Sequence, residues 1–200
     1  MTGPDYGPPM RLSRPRIAPL ADDELTDEQR EALQPYRGGE HGVFNIFRTF
    51  AHNPRALRRF GFWGGYILGR HNSLAPRERE IVILRVGYLC RAGYEWAQHV
   101  VIGREAGLTD AEIDRIKTGA DAEGWSAADA ALLRATDELV GDHFVTDTTW
   151  AALATDAGLS DRQRMDLVFT AGQYTQVSMM LNTFGIQLDD FLDADPDLSR

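Results

Sequence analysis

The apolar positions of this chain recur three and four residues apart, and no stretch alternates with the period of two that a half-buried strand requires. The sequence therefore predicts an all-α fold. Its densest apolar run is Ile81, Val82, Ile83, Leu84, Val86 and Leu89, which leaves almost no polar face and so predicts a helix buried all round. Pro76 stands at its start and charged residues fill its first turn, which favours helix over strand despite the β-branched content. A break is expected at Arg91-Ala92-Gly93, then a helix from Tyr94 to Glu105, with Gly107 as the residue that ends it.

Start signals place the other helices. Thr26 with Gln29 and Thr109 with Glu112 have the capping-box form, in which hydroxyl and side-chain carbonyl each satisfy a free backbone N–H. Ser160 with Gln163 repeats it and opens the last long helix, expected to run to about Phe184. Ser126 with Asp129 starts another helix, with Leu132, Leu133, Leu139 and Val140 inward, and a shorter one spans 147–157. Asn53 followed by Pro54 suits a further start, and Phe60, Trp63 and Ile67 then share one face that should meet the core. Leu74-x-x-Arg77-x-Arg79 matches Leu159-x-x-Arg162-x-Arg164, and Gly87 then falls on Gly172, a weak internal two-fold helical repeat.

Five prolines between Pro4 and Pro19 forbid a helix and predict an extended N-terminal arm over 1–20, disordered or laid across a neighbouring subunit. A single all-α domain over 21–190 follows, then an acidic tail over 191–200 that is expected to fray.

The net charge of −9 repels nucleic acid and anionic membrane, so neither is expected as a partner. No apolar stretch has the length of a membrane span, and the N-terminus lacks the apolar segment of a signal peptide, so a cytoplasmic location is expected. The single cysteine, Cys90, excludes an intramolecular disulfide and sits in an apolar run, where it reads as a small packed hydrophobe.

The candidate chemistry gathers around the buried run. Glu95 and His99 are four apart and share a helix face, so the carboxylate can orient the imidazole and favour its protonated form, an acid–base arrangement. Glu80 can reach His99 if the two helices fold back at Gly93. The alternative use of Glu95 and His99 is a surface ion pair. A metal site would need a third ligand from His71 or His143, and no second spaced pair supports one. Arg85 lies inside the apolar run and needs a carboxylate such as Glu80 or Glu95, or a ligand anion. Gln173, Tyr174, Gln176 and Asn182 are polar residues in the apolar setting of the last helix. They need bonding partners, or they line a pocket facing His99.

With these residues placed, the chain resembles the carboxymuconolactone decarboxylase and alkylhydroperoxidase D (AhpD-like) superfamily. The pattern L-x-x-R-E-R-E, an apolar helix, Y-E-W-x-x-H and G-L-T-x-x-E-I carries the likeness over Leu74 to Ile116. It extends more loosely to Asn45–Leu68 and to Gly172–Tyr174. The resemblance implies an AhpD-like helical bundle, a homo-oligomer (trimer or hexamer), no cofactor, and a catalytic Glu and His at Glu80 and His99. The two redox cysteines of the peroxidase branch fall on Ala92 and Glu95, so thiol-dependent peroxide reduction is disfavoured. Glu95 four residues before His99 resembles the decarboxylase branch. That likeness implies a cofactor-free lyase acting on a carboxylated lactone or related small acid. His99 would move the proton, Glu95 would orient it, Glu80 would serve as a second acid/base, and Arg85 and Tyr94 would hold the substrate. A non-catalytic ligand-binding oligomer is the remaining alternative.

Overall fold

The computed structural model describes residues 12–198. These residues form nine α-helices: α1 (Asp27–Leu33), α2 (Asn45–Phe50), α3 (Pro54–Leu68), α4 (Pro76–Leu89), α5 (Gly93–Glu105), α6 (Asp110–Thr118), α7 (Ala127–Gly141), α8 (Asp147–Thr155) and α9 (Asp161–Phe184). No strand occurs among them. The predicted caps set the boundaries. Thr26, Thr109 and Ser160 each accept from the amide three residues on, and Gln29, Glu112 and Gln163 reach back. Replacing Ser160 by alanine removes the cap of the longest helix and is expected to cost about 1 kcal/mol, read as a lower urea midpoint.

Helix α4 is the axis of the molecule. Every residue from Glu80 to Gly87 is buried, and α5, α7 and α9 pack around it. Arg91, at φ 52°, turns the chain back, so α5 runs antiparallel beside α4. A Cβ at Gly87 would stand 3.1 Å from the Glu95 carboxylate, so the bare backbone there is what lets the two helices approach. The segments matched by the internal repeat open α4 and α9, which pack together. Their arginines differ in use: Arg77 pairs with Glu112 and Asp129, whereas Arg162 donates to the His71 carbonyl.

Helix α3 departs from its predicted orientation. Ile67 is fully buried, but Trp63 is 40% and Phe62 78% exposed. Trp63 stacks on Tyr66 and meets Phe169 of α9 edge-on at the surface. Periodicity gives the residues that share a face; it does not give how far the neighbouring helices cover that face.

Both ends also differ from expectation. Pro4, Pro8 and Pro9 lie outside the described residues. Residues 12–20 pack on their own chain, where Arg16 and Ile17 donate backbone N–H groups to the Phe184 carbonyl and Arg48 donates to the Leu20 carbonyl. The end of α9 leaves carbonyls without helical partners, and an extended proline-rich segment supplies donors to them. The acidic tail folds back rather than fraying: Lys117 binds Asp195 and Asp197, Trp96 donates to Asp195, and Leu198 is buried. Among the described residues no helix is long and apolar enough to cross a membrane.

Candidate active site

The antiparallel packing of α4 on α5 brings the head of one helix against the middle of the other. Glu80 thereby meets His99, with Oε2 2.6 Å from the imidazole Nδ1. Both side chains are buried, and Arg79 stands behind the carboxylate with Nε 3.8 Å from Oε1. Tyr174 of α9 places its ring edge-to-face against the imidazole, centroids 4.8 Å apart. Burial first, and then the nearby Glu80 and Glu95 carboxyls, push the Tyr174 phenol up.

His99, Glu95, Tyr94 and Tyr174 line a cavity of about 310 Å3 enclosed by α2, α3, α5 and α9. Its walls are apolar, with Phe44, Phe47, Phe60, Ile102, Val177 and Leu181 among them. Glu80 does not line the cavity. With Nδ1 turned to that buried carboxylate, Nε2 is the nitrogen left for the cavity. An ionised Glu80 accepts from Nδ1–H and fixes the tautomer, so Nε2 can take or return a proton.

The expected partnership of Glu95 with His99 is not formed. The Glu95 carboxylate instead accepts from the Ser178 hydroxyl of α9 at 3.0 Å, and its other oxygen has no hydrogen-bond partner. Sharing a helix face brings i and i+4 side chains near one another, but each carboxyl here turns to the neighbouring helix with the better donor. Burial raises the Glu95 carboxyl well above 4.5, partly offset by the Ser178 hydrogen bond, so burial favours the neutral acid.

That shift has a sign that can be tested. The folded protein keeps the Glu95 proton at a pH where the unfolded chain loses it. The resulting contribution to stability is complete below the unfolded value of 4.5 and declines as pH rises toward the folded one. Glu95→Gln removes the penalty. Its melting temperature is expected to exceed that of the parent by about 2–4 °C near neutral pH, and the gain should vanish in acid. Parallel thermal melts across that range check it.

Arg85 takes no part in the cavity. Its Nε donates to Asp137 of α7 at 2.5 Å, and Nη1 donates to the Ile116 and Lys117 carbonyls at the end of α6. The buried arginine does have a carboxylate partner, but this is neither Glu80 nor Glu95. Tyr94 lines the cavity with its ring. Its hydroxyl, however, donates to Asp189 at 2.5 Å, and burial followed by that carboxylate pushes the phenol up. The substrate-holding roles expected of Arg85 and of the Tyr94 hydroxyl thus find both groups already engaged in protein contacts. Of the polar α9 residues, Gln173 and Tyr174 line the cavity, Gln176 is exposed, and Asn182 donates to the Cys90 carbonyl. Cys90, His71 and His143 do not line it. Among the described residues no group of three or more His, Cys, Asp or Glu side chains is gathered as for a metal ion.

Three contributors escaped the sequence reading. Ser178 lies four residues after Tyr174, a spacing that puts both on one face of α9 and is a usable signal. Gln98 lines the cavity and donates to Asp189 at 3.0 Å. Asp189 sits in an acidic stretch that resembles a solvated tail, yet it accepts from Tyr94, Gln98 and the Asn45 amide and so ties α2 over the cavity.

Comparison with known proteins agrees with this architecture. A model of the carboxymuconolactone decarboxylase family matches residues 54–138, the segment that carries Glu80, Glu95 and His99. No curated protein matches the sequence. Among solved structures, an uncharacterized peroxidase-related protein of Ralstonia eutropha JMP134 with an alkylhydroperoxidase AhpD core superposes with a TM-score of 0.75 at 20% identity, covering 87% of this chain and 93% of that one. An uncharacterized peroxidase-related protein of Silicibacter sp. TM1040 gives 0.73 at 18% identity, covering 94% of each chain. The debrominase Bmp8 gives 0.68 at 12% identity, covering 87% of this chain and 92% of that one. The carboxymuconolactone decarboxylase family model thus matches the part of the chain that carries the site, and the helical fold is that of the AhpD-like structures.

Proposed function

We propose that the protein is a cofactor-free acid–base enzyme that moves a proton to or from carbon on a small organic molecule held in the cavity. One observation carries this reading: the buried Glu80–His99 pair, 2.6 Å apart, on the wall of an apolar cavity. Nε2 takes a proton from a carbon next to a carbonyl while Glu80 holds Nδ1–H and stabilises the imidazolium. The electron pair left on carbon delocalises into the carbonyl. The apolar wall around the ring leaves the resulting oxyanion to be met by the imidazolium formed on His99. Returning the proton to a different carbon completes an isomerisation with no net change in atoms or charge.

The family match favours a second reading, decarboxylation of a carboxylated lactone. In that reaction the C–C bond to the carboxylate breaks and CO2 leaves. Its electrons enter the lactone dienolate, and Nε2 of the imidazolium delivers the proton to carbon. A third precedent, the debrominase Bmp8 whose variant binds 2,3,4-tribromopyrrole, shares the fold alone. A homo-oligomer and a cytoplasmic setting belong to the same proposal, and light scattering on the purified chain tests the first of them.

The test uses unsaturated lactones with and without a carboxyl group, incubated in D2O without metal or thiol and followed by ultraviolet absorbance and mass spectrometry. Deuterium entering carbon without loss of CO2 supports isomerase chemistry, and CO2 release supports the lyase. Neither event across the panel would contradict acid–base catalysis on this substrate class.

A further inference from the structure

The cavity presents an unusual set of polar groups for a protein expected to act on an organic acid. No lysine or arginine is among the described residues that line it. The nearby arginines are engaged elsewhere: Arg85 with Asp137, Arg79 beside Glu80, and Arg48 with Asp22. What lines the interior is Glu95, an imidazole, three tyrosine rings, two amides and a wall of Phe, Ile, Val and Leu. A substrate carboxylate placed there would lose its water and find no lysine or arginine to pair with. Burying an unpaired charge in such a place is costly. A neutral molecule meets none of that cost and can offer a hydroxyl or carbonyl to His99 Nε2.

The dimensions narrow the class further. An apolar cavity of about 150 Å3 holds one benzene ring, and this one is about 310 Å3. It accommodates two fused rings or one substituted ring. Its mouth lies along α3, where Gly64 and Gly65 line the cavity and are themselves partly or fully exposed. A Cβ at either position would meet no atom within 4 Å. The two glycines therefore hold open the passage by which a ring enters. Gly61, one turn earlier, is closed by the Tyr36 hydroxyl, which lies 2.2 Å from where its Cβ would stand.

We infer that the substrate is an uncharged, ring-sized, largely apolar molecule bearing one hydroxyl or carbonyl, and that Gly64 is a specificity-determining residue that admits it. This rests on the cavity being the substrate site, and it deepens the acid–base reading by selecting the non-carboxylated members of the class. The raised affinity of Glu95 for its proton agrees with a site built for neutral ligands.

The test is calorimetric binding of two probes of nearly equal shape, 2-naphthol and 2-naphthoate, to the full chain near neutral pH. The first is then uncharged and the second an anion. The naphthol is expected to bind at least about tenfold more tightly, the factor that corresponds to about 1.4 kcal/mol. Gly64→Leu should weaken naphthol binding by about tenfold or more while the melting temperature stays at or above that of the parent, since leucine favours helix over glycine. Equal or tighter binding of the naphthoate would overturn the inference. So would failure of both probes to bind, or unchanged naphthol binding in a folded Gly64→Leu protein. The two readings fail separately. A His99→Gln variant that still moves protons removes the acid–base reading and leaves this preference standing. A naphthoate preference removes this inference and leaves the acid–base reading intact.

Discussion

Replacing His99 by alanine is expected to lower turnover by about 10²–10⁴-fold, the usual contribution of a positioned acid–base group, and to leave the helical fold in place. The size of the loss follows from geometry. Nδ1 is held by Glu80 at 2.6 Å, so the ring contributes one nitrogen in one orientation to the cavity, and no neighbouring side chain can substitute for it. Glu95 is bound to Ser178 through one carboxyl oxygen and its other oxygen is buried in protein, so it does not stand in for the imidazole. Glu80 lies behind the ring and outside the cavity lining. The alanine leaves the Glu80 carboxylate without its imidazole partner, and that loss of stability needs separate measurement. Circular dichroism and a thermal melt run beside the assay separate a lost proton shuttle from a lost fold. His99→Gln, which can still donate to Glu80, should melt closer to the parent and be equally inactive. A fully active His99→Ala protein would remove the acid–base reading.

The second large effect belongs to Arg85 and falls on stability. Its guanidinium joins α4 to α7 through Asp137 and closes the end of α6 through the Ile116 and Lys117 carbonyls. Arg85→Met keeps the volume of the side-chain stem but leaves one carboxylate and two carbonyls without their donor. Breaking a fully buried ion pair costs about 3–5 kcal/mol. The Asp137 side chain is one-third exposed and can regain water, which places the expected loss at the lower end, about 3 kcal/mol, in a urea titration. The folded fraction should keep kcat/KM within a few-fold of the parent. A variant of normal stability with a strongly raised KM would instead return Arg85 to the substrate.

The contrast between these two residues shows which parts of the architecture were legible in the chain. Thr26, Thr109 and Ser160 announce helix starts by local chemistry, and Pro54 and Pro76 do the same, so the helix order followed from residues a few positions apart. The unbroken apolar run of α4 could be buried only at the centre, and its turn at Gly93 made the meeting of Glu80 with His99 an available inference. What the sequence left open was choice among partners. Glu95, Glu80 and Asp137 are all carboxylates that could have received Arg85 or His99, and only the angle between helices decides which does. Trp63 was misplaced for a related reason: its face was given by periodicity, but the cover over that face comes from α9, more than a hundred residues later. Asp189 was missed because a charge among charges gives no local sign of burial. The cavity itself had no signature, since its walls come from four helices and its mouth from glycines that in isolation mark only flexibility.

Glu80 holds His99 Nδ1 and fixes the tautomer, which leaves Nε2 as the nitrogen for the cavity. Nitrogen-15 NMR of the imidazole across the neutral range tests this without knowledge of the substrate. The expected spectrum of the neutral ring carries its proton on Nδ1, facing Glu80, and none on Nε2. Glu80→Gln is expected to weaken this preference. A neutral ring protonated at Nε2, with Nδ1 accepting a proton from Glu80, would contradict the account, because the nitrogen facing the cavity could then donate a hydrogen bond but could not act as a base.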